Sequence, residues 1–342
     1  MNYFINLRIV LPALVFLIAH YCPNIFNPVT PPSQNLTGPG GMEYVCDSVR
    51  FLSYADQPDG YWLFEPISEG IDSAHVVVFT HGYGAYNPMV YGDWIRHIVR
   101  KGNIVIFPRY QKNLTSPKTK FFVENTTKGI KDALIELDTG LNHVKPIDGV
   151  ISLVGHSYGG VISANLAVNY KALGLPQPDV VLLCSPGSGP FKGGVLDSYE
   201  KMPEDIHLLV MVSEDDRIVK DKLGKKIFKT AVNTPNRNLI RQFADNYGKP
   251  SIDAGHNESY SLNKAFDSGV RNITSKRASR ISSIDAVDYF GYWKLFDALL
   301  DCSRSNINCE FAIGNTVEQR FMGKWSDGKA VKELEILTPI ID

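Results

Sequence analysis

Ser157 is the residue of this 342-residue chain whose setting best suits a nucleophile. It is the centre of Gly-His-Ser-Tyr-Gly at 155–159, a G-x-S-x-G pattern between an apolar run at 150–154 and a second one at 161–173. The first run predicts a strand and the second a helix. Glycines suit the turn between them because larger side chains there would clash, and the strained turn lifts the serine hydroxyl above the sheet edge. The pattern predicts a serine nucleophile; the alternative is a glycine-rich turn without chemistry.

A serine hydroxyl needs a base, and the base needs an acid to orient it. His256 is the last histidine of the chain and lies in a short polar stretch beside a glycine. Three acids compete for the second role, because Glu214, Asp215 and Asp216 all follow the strand-like run at 207–212. Acids that do not orient the base would simply form a solvated turn.

The elements that must position these residues alternate between strand-like and helix-like segments. Short apolar runs at 75–80, 103–110, 150–154, 180–184, 207–212 and 238–243 are separated by helical patterns at 88–101, 126–144, 161–173 and 219–231. This alternation predicts a parallel sheet with right-handed crossovers. A hairpin is predicted around Pro58-Asp59-Gly60, and a late helix at 283–302.

The order and context of these features resemble the α/β-hydrolase superfamily of serine hydrolases over residues 44–302. The resemblance implies a mostly parallel central sheet flanked by helices on both faces, and the chain order serine, acid, histidine. Family members commonly place the acid midway between a small residue and a valine. That spacing within 213–219 selects Asp216 as the orienting acid, with Asp215 as the alternative and His256 as the base.

The same resemblance gives a role to Thr-His-Gly-Tyr-Gly at 80–84, which follows the run at 75–80. A His-Gly pair in this place lets a backbone N–H point at the substrate oxygen. The implied oxyanion hole consists of the N–H groups of Tyr83 and Tyr158. For His81 we favour a structural role, in which its hydrogen bonds hold the loop.

The predicted activity is cleavage of carboxylic esters through an acyl-enzyme intermediate, which requires no metal and no organic cofactor. Tyr83, Tyr86, Met89 and Tyr158 favour a small-molecule or lipid-like ester with an apolar part. No long helical insertion follows residue 184, so we expect a cleft without a large cap, as in cutinase-like and dienelactone-hydrolase-like relatives. The same residues suit a lipase, a thioesterase or an acyltransferase. A catalytically silent binding protein of this fold is the alternative from another class.

The charge balance of the chain limits the kinds of molecule that it is expected to bind. The chain has 35 basic and 36 acidic residues, a net charge of −1, and no block of like charge, so nucleic acid is an unsuitable partner. A neutral or apolar substrate fits this balance better than a highly charged one. The polar and basic segment 260–282 is interpreted as a mobile surface excursion rather than a specific anion site. The sequence does not indicate an oligomeric state.

The N-terminal segment predicts export. Residues 1–21 contain an apolar run at 9–19, the length of a signal-peptide core and too short to cross a bilayer. We expect a secreted or periplasmic protein; the alternative is membrane association through an uncleaved anchor. Residues 22–41 are predicted to be a linker and 42–342 a single domain. Cys302 and Cys309 could form a small disulfide in an exported protein, or remain two reduced thiols.

Overall fold

A computed structural model describes residues 28–337, and a single nine-stranded sheet lies at its centre. The strands are β1 (Ser48–Tyr54), β2 (Tyr61–Ile67), β3 (Ser73–Thr80), β4 (Asn103–Pro108), β5 (Lys145–His156), β6 (Gln177–Cys184), β7 (His207–Ser213), β8 (Arg237–Gln242) and β9 (Glu335–Ile336). The helices are α1 (Gly92–Arg100), α2 (Phe122–Thr139), α3 (Tyr158–Leu173), α4 (Lys222–Thr230), α5 (Ile273–Ile281), α6 (Lys294–Ser305), α7 (Cys309–Ala312) and α8 (Val317–Arg320). The predicted signal or anchor segment, 1–21, lies outside the described residues.

The strand order confirms the predicted fold class. It runs β1-β2-β4-β3-β5-β6-β7-β8-β9, with every pair from β4 to β8 parallel and antiparallel pairs at the two edges. The chain leaves β3 towards one side of the sheet and leaves β5 towards the other. In open α/β sheets, such a reversal creates a crevice at the carboxyl ends of the two strands. Ser157 and the 80–84 motif therefore lie at the same edge.

Helices cover both faces of the sheet because its central strands are apolar on both sides. In β3, Val77 and Phe79 belong to the core that packs against α1 and α6. Their neighbours Val76 and Val78 belong to the opposite core, against α2, α3 and α4. The alternation of side chains along a strand thus produces two cores from one continuous apolar run.

Several element boundaries differ from the sequence predictions. The second helix begins at Phe122 rather than 126 and ends at Thr139 rather than 144, because Gly140 takes an extended conformation. Leu141, just beyond the helix, is exposed. The late helix predicted from 283 begins as a π-helical segment, Val287–Trp293, and continues as α6.

The described part of the predicted linker, 28–41, is irregular but packs against the folded core. Gly40 is buried, and its N–H donates to the Asp297 carboxylate on α6 at 2.8 Å. The same oxygen accepts from His97 Nε2 on α1 at 2.9 Å. One buried carboxylate therefore joins the N-terminal segment to two helices.

The cysteines fall into two groups. Cys302 and Cys309 form a disulfide between the end of α6 and the start of α7. Cys46 and Cys184 are free and buried, in agreement with core positions. Within residues 28–337, no helix is both long enough and apolar enough to cross a membrane.

Replacing Asp297 with alanine should destabilise the fold. The change leaves the Gly40 N–H and the His97 ring N–H buried without an acceptor, at about 1–3 kcal/mol for each. We expect urea denaturation to give a free energy of unfolding lower by about 2–5 kcal/mol. The control is Asp132→Ala, which removes an exposed i,i+4 partner of Lys128 and should change it by less than about 0.5 kcal/mol. Equal effects of the two changes would contradict this account.

Candidate active site

Ser157 occupies the turn between β5 and α3 in a strained conformation. Its φ of 54° and ψ of −118° lie outside the usual regions for a residue with a side chain. The turn is tight because its backbone passes close to the end of β3, at Thr80. A Cβ on Gly159 would lie 2.0 Å from the Thr80 carbonyl oxygen, and one on Gly155 would lie 2.6 Å from the Gly159 backbone. Both glycines of the motif are therefore required by backbone contacts.

The structure brings Ser157, His256 and Asp216 together in one hydrogen-bonded chain. Ser157 Oγ lies 2.9 Å from His256 Nε2, and His256 Nδ1 lies 2.7 Å from Asp216 Oδ2. All three residues are buried or nearly so. With Nδ1 protonated, His256 can accept the serine proton at Nε2 while its other nitrogen donates to the carboxylate.

The loop after β7 places only one of its three acids at His256. Glu214 and Asp215 are exposed, whereas Asp216 is buried. Asp216 Oδ1 accepts from the N–H groups of Ile218 and Val219 at 2.8 and 3.0 Å. Burial by itself would raise the pKa of this carboxyl, but the hydrogen bond and charge of His256, with the two backbone donors, lower it instead. Asp216 therefore remains ionised beside the imidazole.

The two N–H groups predicted to form an oxyanion hole lie in suitable places. Tyr158 is the first residue of α3, so its N–H has no acceptor within the helix. Gly82 lies against the nucleophile, because a Cβ built on it would be 3.3 Å from Ser157 Cβ. The next N–H, that of Tyr83, has no acceptor within residues 28–337. Within the described residues, both N–H groups are thus free for another acceptor.

A buried path of hydrogen bonds, missed at the level of sequence, connects the 80–84 loop with the His256 loop. The Gly82 N–H donates to the Tyr91 hydroxyl at 2.8 Å, and Tyr91 Oη lies 2.9 Å from His156 Nδ1. His156 Nε2 lies 2.8 Å from the His256 carbonyl oxygen. Since a carbonyl can only accept, Nε2 carries the proton and Tyr91 donates to Nδ1. His156 had been noted only as a variable position of the motif.

His156 is neutral in this arrangement. Burial, together with the charge of the neighbouring His256, lowers its pKa to about 3. A second neutral histidine, His81, lies below the loop; burial lowers its pKa to about 4. His81 Nε2 lies 2.8 Å from the Arg109 carbonyl oxygen, and its ring stacks on Tyr110. This placement agrees with a structural role for His81.

Behind the His256 loop lies a group of carboxyls that includes the half-buried Glu258 and the fully buried Asp288. Glu258 Oε1 accepts from the Gly255 N–H at 3.0 Å, one residue before His256. Burial, together with the charges of the nearby Asp285 and Asp253, raises the pKa of Glu258 to about 7. Asp288, in the π-helical segment, is fully buried, and burial raises its pKa well above the usual range. Glu258 is therefore protonated at mildly acidic pH.

An open cavity of about 320 Å³ lies over Ser157. It is lined by Gly82, Tyr83, His156, Ser157, Ile218, His256, Asn257, Tyr260, Ile273, Thr274 and Arg277. Of the four residues expected to favour an apolar ester, only Tyr83 lines it. Tyr86, Met89 and Tyr158 are buried in the protein instead. The apolar walls come mainly from Ile218, Ile273 and Tyr260, which sequence reasoning had not selected.

One wall of the cavity is α5, within the segment interpreted as a mobile excursion. That interpretation was wrong about the local structure, because 273–281 is helical and begins with a capping box between Asn272 and Ser275. The Asn272 side chain also donates to the Gly84 carbonyl at 2.8 Å. The helix is thereby attached to the 80–84 loop.

No group of three or more His, Cys, Asp or Glu side chains within 28–337 is arranged to hold a metal ion. The arrangement around Ser157 has groups that can generate a nucleophile and orient a base.

The family model described as Chlorophyllase matches residues 40–190. The matched stretch includes β1 to β6, the 80–84 loop and Ser157, and it ends before Asp216 and His256. A search of the curated proteins finds no match. The family match indicates a hydrolase that acts on esters.

Alanine at position 159 should disrupt the turn around the nucleophile. Its Cβ would overlap the Thr80 carbonyl, and both backbones are held by the sheet, so we expect a loss of at least about 3 kcal/mol of stability. The matched control is Gly291→Ala, where the new Cβ has no neighbour closer than 3.8 Å. That variant should stay within about 1 kcal/mol of the wild type. Thermal and urea unfolding measure both; a stable Gly159→Ala protein would contradict the close crossing.

Glu258 should make the protein less stable as pH rises. Its pKa is 4.5 in the unfolded chain and about 7 in the folded one, so between these values the folded state binds more protons. The contribution of Glu258 to the free energy of unfolding is fully present below about pH 4.5 and is lost as pH rises through about 7. We expect Glu258→Gln to show a smaller fall between pH 5.5 and 8 in urea unfolding. Glu69→Gln, at an exposed position, is the control; identical slopes in all three proteins would refute the assignment.

Proposed function

Since the chain belongs to the α/β-hydrolase superfamily of serine hydrolases, we propose that it cleaves carboxylic esters through an acyl-enzyme intermediate on Ser157. The observation that carries this proposal is the unbroken line from Ser157 Oγ through both nitrogens of His256 to Asp216, with distances of 2.9 and 2.7 Å. The family match to ester-cleaving hydrolases supports the same reaction class.

In the first step, Ser157 Oγ attacks the ester carbonyl carbon while His256 Nε2 takes its proton. The carbonyl oxygen gains negative charge and is bound by the N–H groups of Tyr83 and Tyr158. Asp216 stabilises the imidazolium that forms, and its low pKa supports this role because it keeps the carboxylate charged. The imidazolium then protonates the leaving alkoxide, and the alcohol departs.

In the second step, water attacks the acyl-enzyme. His256 accepts a proton from the water, and the N–H groups of the oxyanion hole bind the second tetrahedral intermediate. Collapse of that intermediate releases the carboxylic acid and returns the proton to Ser157. His156 does not touch the reacting atoms in this scheme. It positions the His256 backbone and, through Tyr91, the loop that carries the Tyr83 N–H.

We also propose that the protein works in an oxidising compartment. The Cys302–Cys309 disulfide supports this, since disulfides persist mainly in secreted and periplasmic proteins. The mature N-terminus, read by mass spectrometry of the natural protein, would distinguish a cleaved signal peptide from a retained anchor.

The triad assignment is tested with substitutions at the nucleophile and at both candidate acids. Ser157→Ala should abolish labelling by a fluorophosphonate probe and lower kcat for p-nitrophenyl esters by a factor of about 10⁴ or more. Asp216→Asn should lower kcat by about 10⁴, because the amide no longer holds the reactive tautomer. Asp215→Asn is the matched control, since this exposed neighbour does not contact His256, and it should retain activity.

Other outcomes separate the alternatives. A well-folded wild-type protein that neither takes up the probe nor hydrolyses any ester would indicate a silent binding protein. Probe labelling with turnover only of thioesters, or only when an acceptor alcohol is present, would favour a thioesterase or an acyltransferase. Preference for long-chain esters would favour a lipase.

A further inference from the structure

We propose that Arg277 forms a subsite for a carboxylate on the substrate, so that the preferred esters are anionic. The proposal rests on the proposed function and specifies its substrate class. It departs from the neutral substrate that the overall charge suggested. It is carried by three features: the charge balance of the cavity, the face of α5 that Arg277 occupies, and the attachment of that helix.

Arg277 is the permanent positive charge of the Ser157 cavity. Within residues 28–337, no Asp or Glu lines this cavity. Of its two histidines, His156 is neutral at physiological pH, and His256 must be neutral to act as a base. Asp216 lies behind the imidazole, and its carboxylate oxygens already accept hydrogen bonds from His256 and from two backbone N–H groups. An arginine without an opposing carboxylate in the cavity favours a substrate that supplies one.

The basic residues of α5 are divided between two sides of the helix. Ile273 and Arg277 are one helical turn apart and line the Ser157 cavity. Lys276 and Arg280 line a different groove, on the other side. The nearby Arg271 is neutralised, because both of its terminal nitrogens contact the Asp267 carboxylate at 2.7 and 2.6 Å. Within the described residues, Arg277 has no such ion pair.

The helix that carries Arg277 is attached to the loop of the proposed oxyanion hole, and the Arg277 side chain is exposed. The capping box at Asn272 defines the start of α5, and the Asn272 side chain holds the Gly84 carbonyl beside Tyr83. The Arg277 guanidinium, carried by this helix, can bind a carboxylate through two parallel N–H donors. The apolar side chains of Ile218 and Ile273 line the same cavity and suit the hydrocarbon part of the molecule.

Two matched pairs of esters test this proposal. The first pair is mono-p-nitrophenyl adipate and p-nitrophenyl hexanoate, which place or omit a carboxylate on the acyl side. The second is 4-carboxyphenyl hexanoate and phenyl hexanoate, which do so on the alcohol side. For the wild type we expect the anionic ester to have the higher kcat/KM in at least one pair. In Arg277→Ala the ratio of anionic to neutral kcat/KM in that pair should fall about tenfold or more.

Arg280→Ala is the control, because it removes the same charge from the same helix on the side away from the cavity. It should leave the ratio unchanged, whereas Arg277→Glu should lower the ratio further than Arg277→Ala. A wild-type enzyme without a preference for the anionic ester, or an Arg277→Ala enzyme that retains it, overturns the subsite while leaving the esterase intact. If the wild-type enzyme hydrolyses neither the anionic nor the neutral esters, both the proposed function and the subsite are overturned.

Discussion

The backbone of Gly159 lies against the carbonyl of Thr80 at a separation that excludes even a methyl group. This contact fixes the end of β5 relative to the end of β3, and those two ends carry Ser157 and the Gly82–Tyr83 loop. The hydroxyl of Thr80 strengthens the crossing, because it donates to the Gly159 carbonyl at 2.8 Å. The strain at Ser157 is tolerated because both flanking elements are buried in the sheet and its cores. Placement of Ser157 beside the loop of the proposed oxyanion hole therefore follows from backbone packing.

Positions of the base and of the oxyanion loop are coupled through His156. Its two ring nitrogens connect Tyr91, and thereby the Gly82 N–H, with the backbone of His256. The link works only while His156 is neutral, since Nδ1 must accept from Tyr91. Neutrality also has an electrostatic advantage, because a positive charge here would oppose the imidazolium that His256 forms in the proposed acyl transfer. Burial, which lowers the pKa of His156 to about 3, serves both requirements.

The sequence predicts the parts of this site that depend on chain order and local pattern. A glycine-bounded serine between two apolar runs, and a last histidine after an acidic turn, are visible without coordinates. Tyr91 and His156 are not, because they meet across 65 residues through tertiary packing. The helix α5 was missed for another reason: it buries only Ser275 and Ala278, so it lacks the apolar periodicity that identifies helices. Its signal was a weak one, an asparagine and a serine at capping-box spacing.

Two carboxyls near His256 have opposite protonation behaviour, and the number of donors around each explains why. Asp216 receives three hydrogen bonds, from His256 and two backbone N–H groups, and these outweigh its burial. Glu258 receives one, from Gly255, and has further acids as neighbours, so burial prevails. Negative charge near neutral pH is thus concentrated on the Nδ1 side of the imidazole, where it stabilises the protonated ring. The opposite side, the cavity, is left with the positive charge of Arg277.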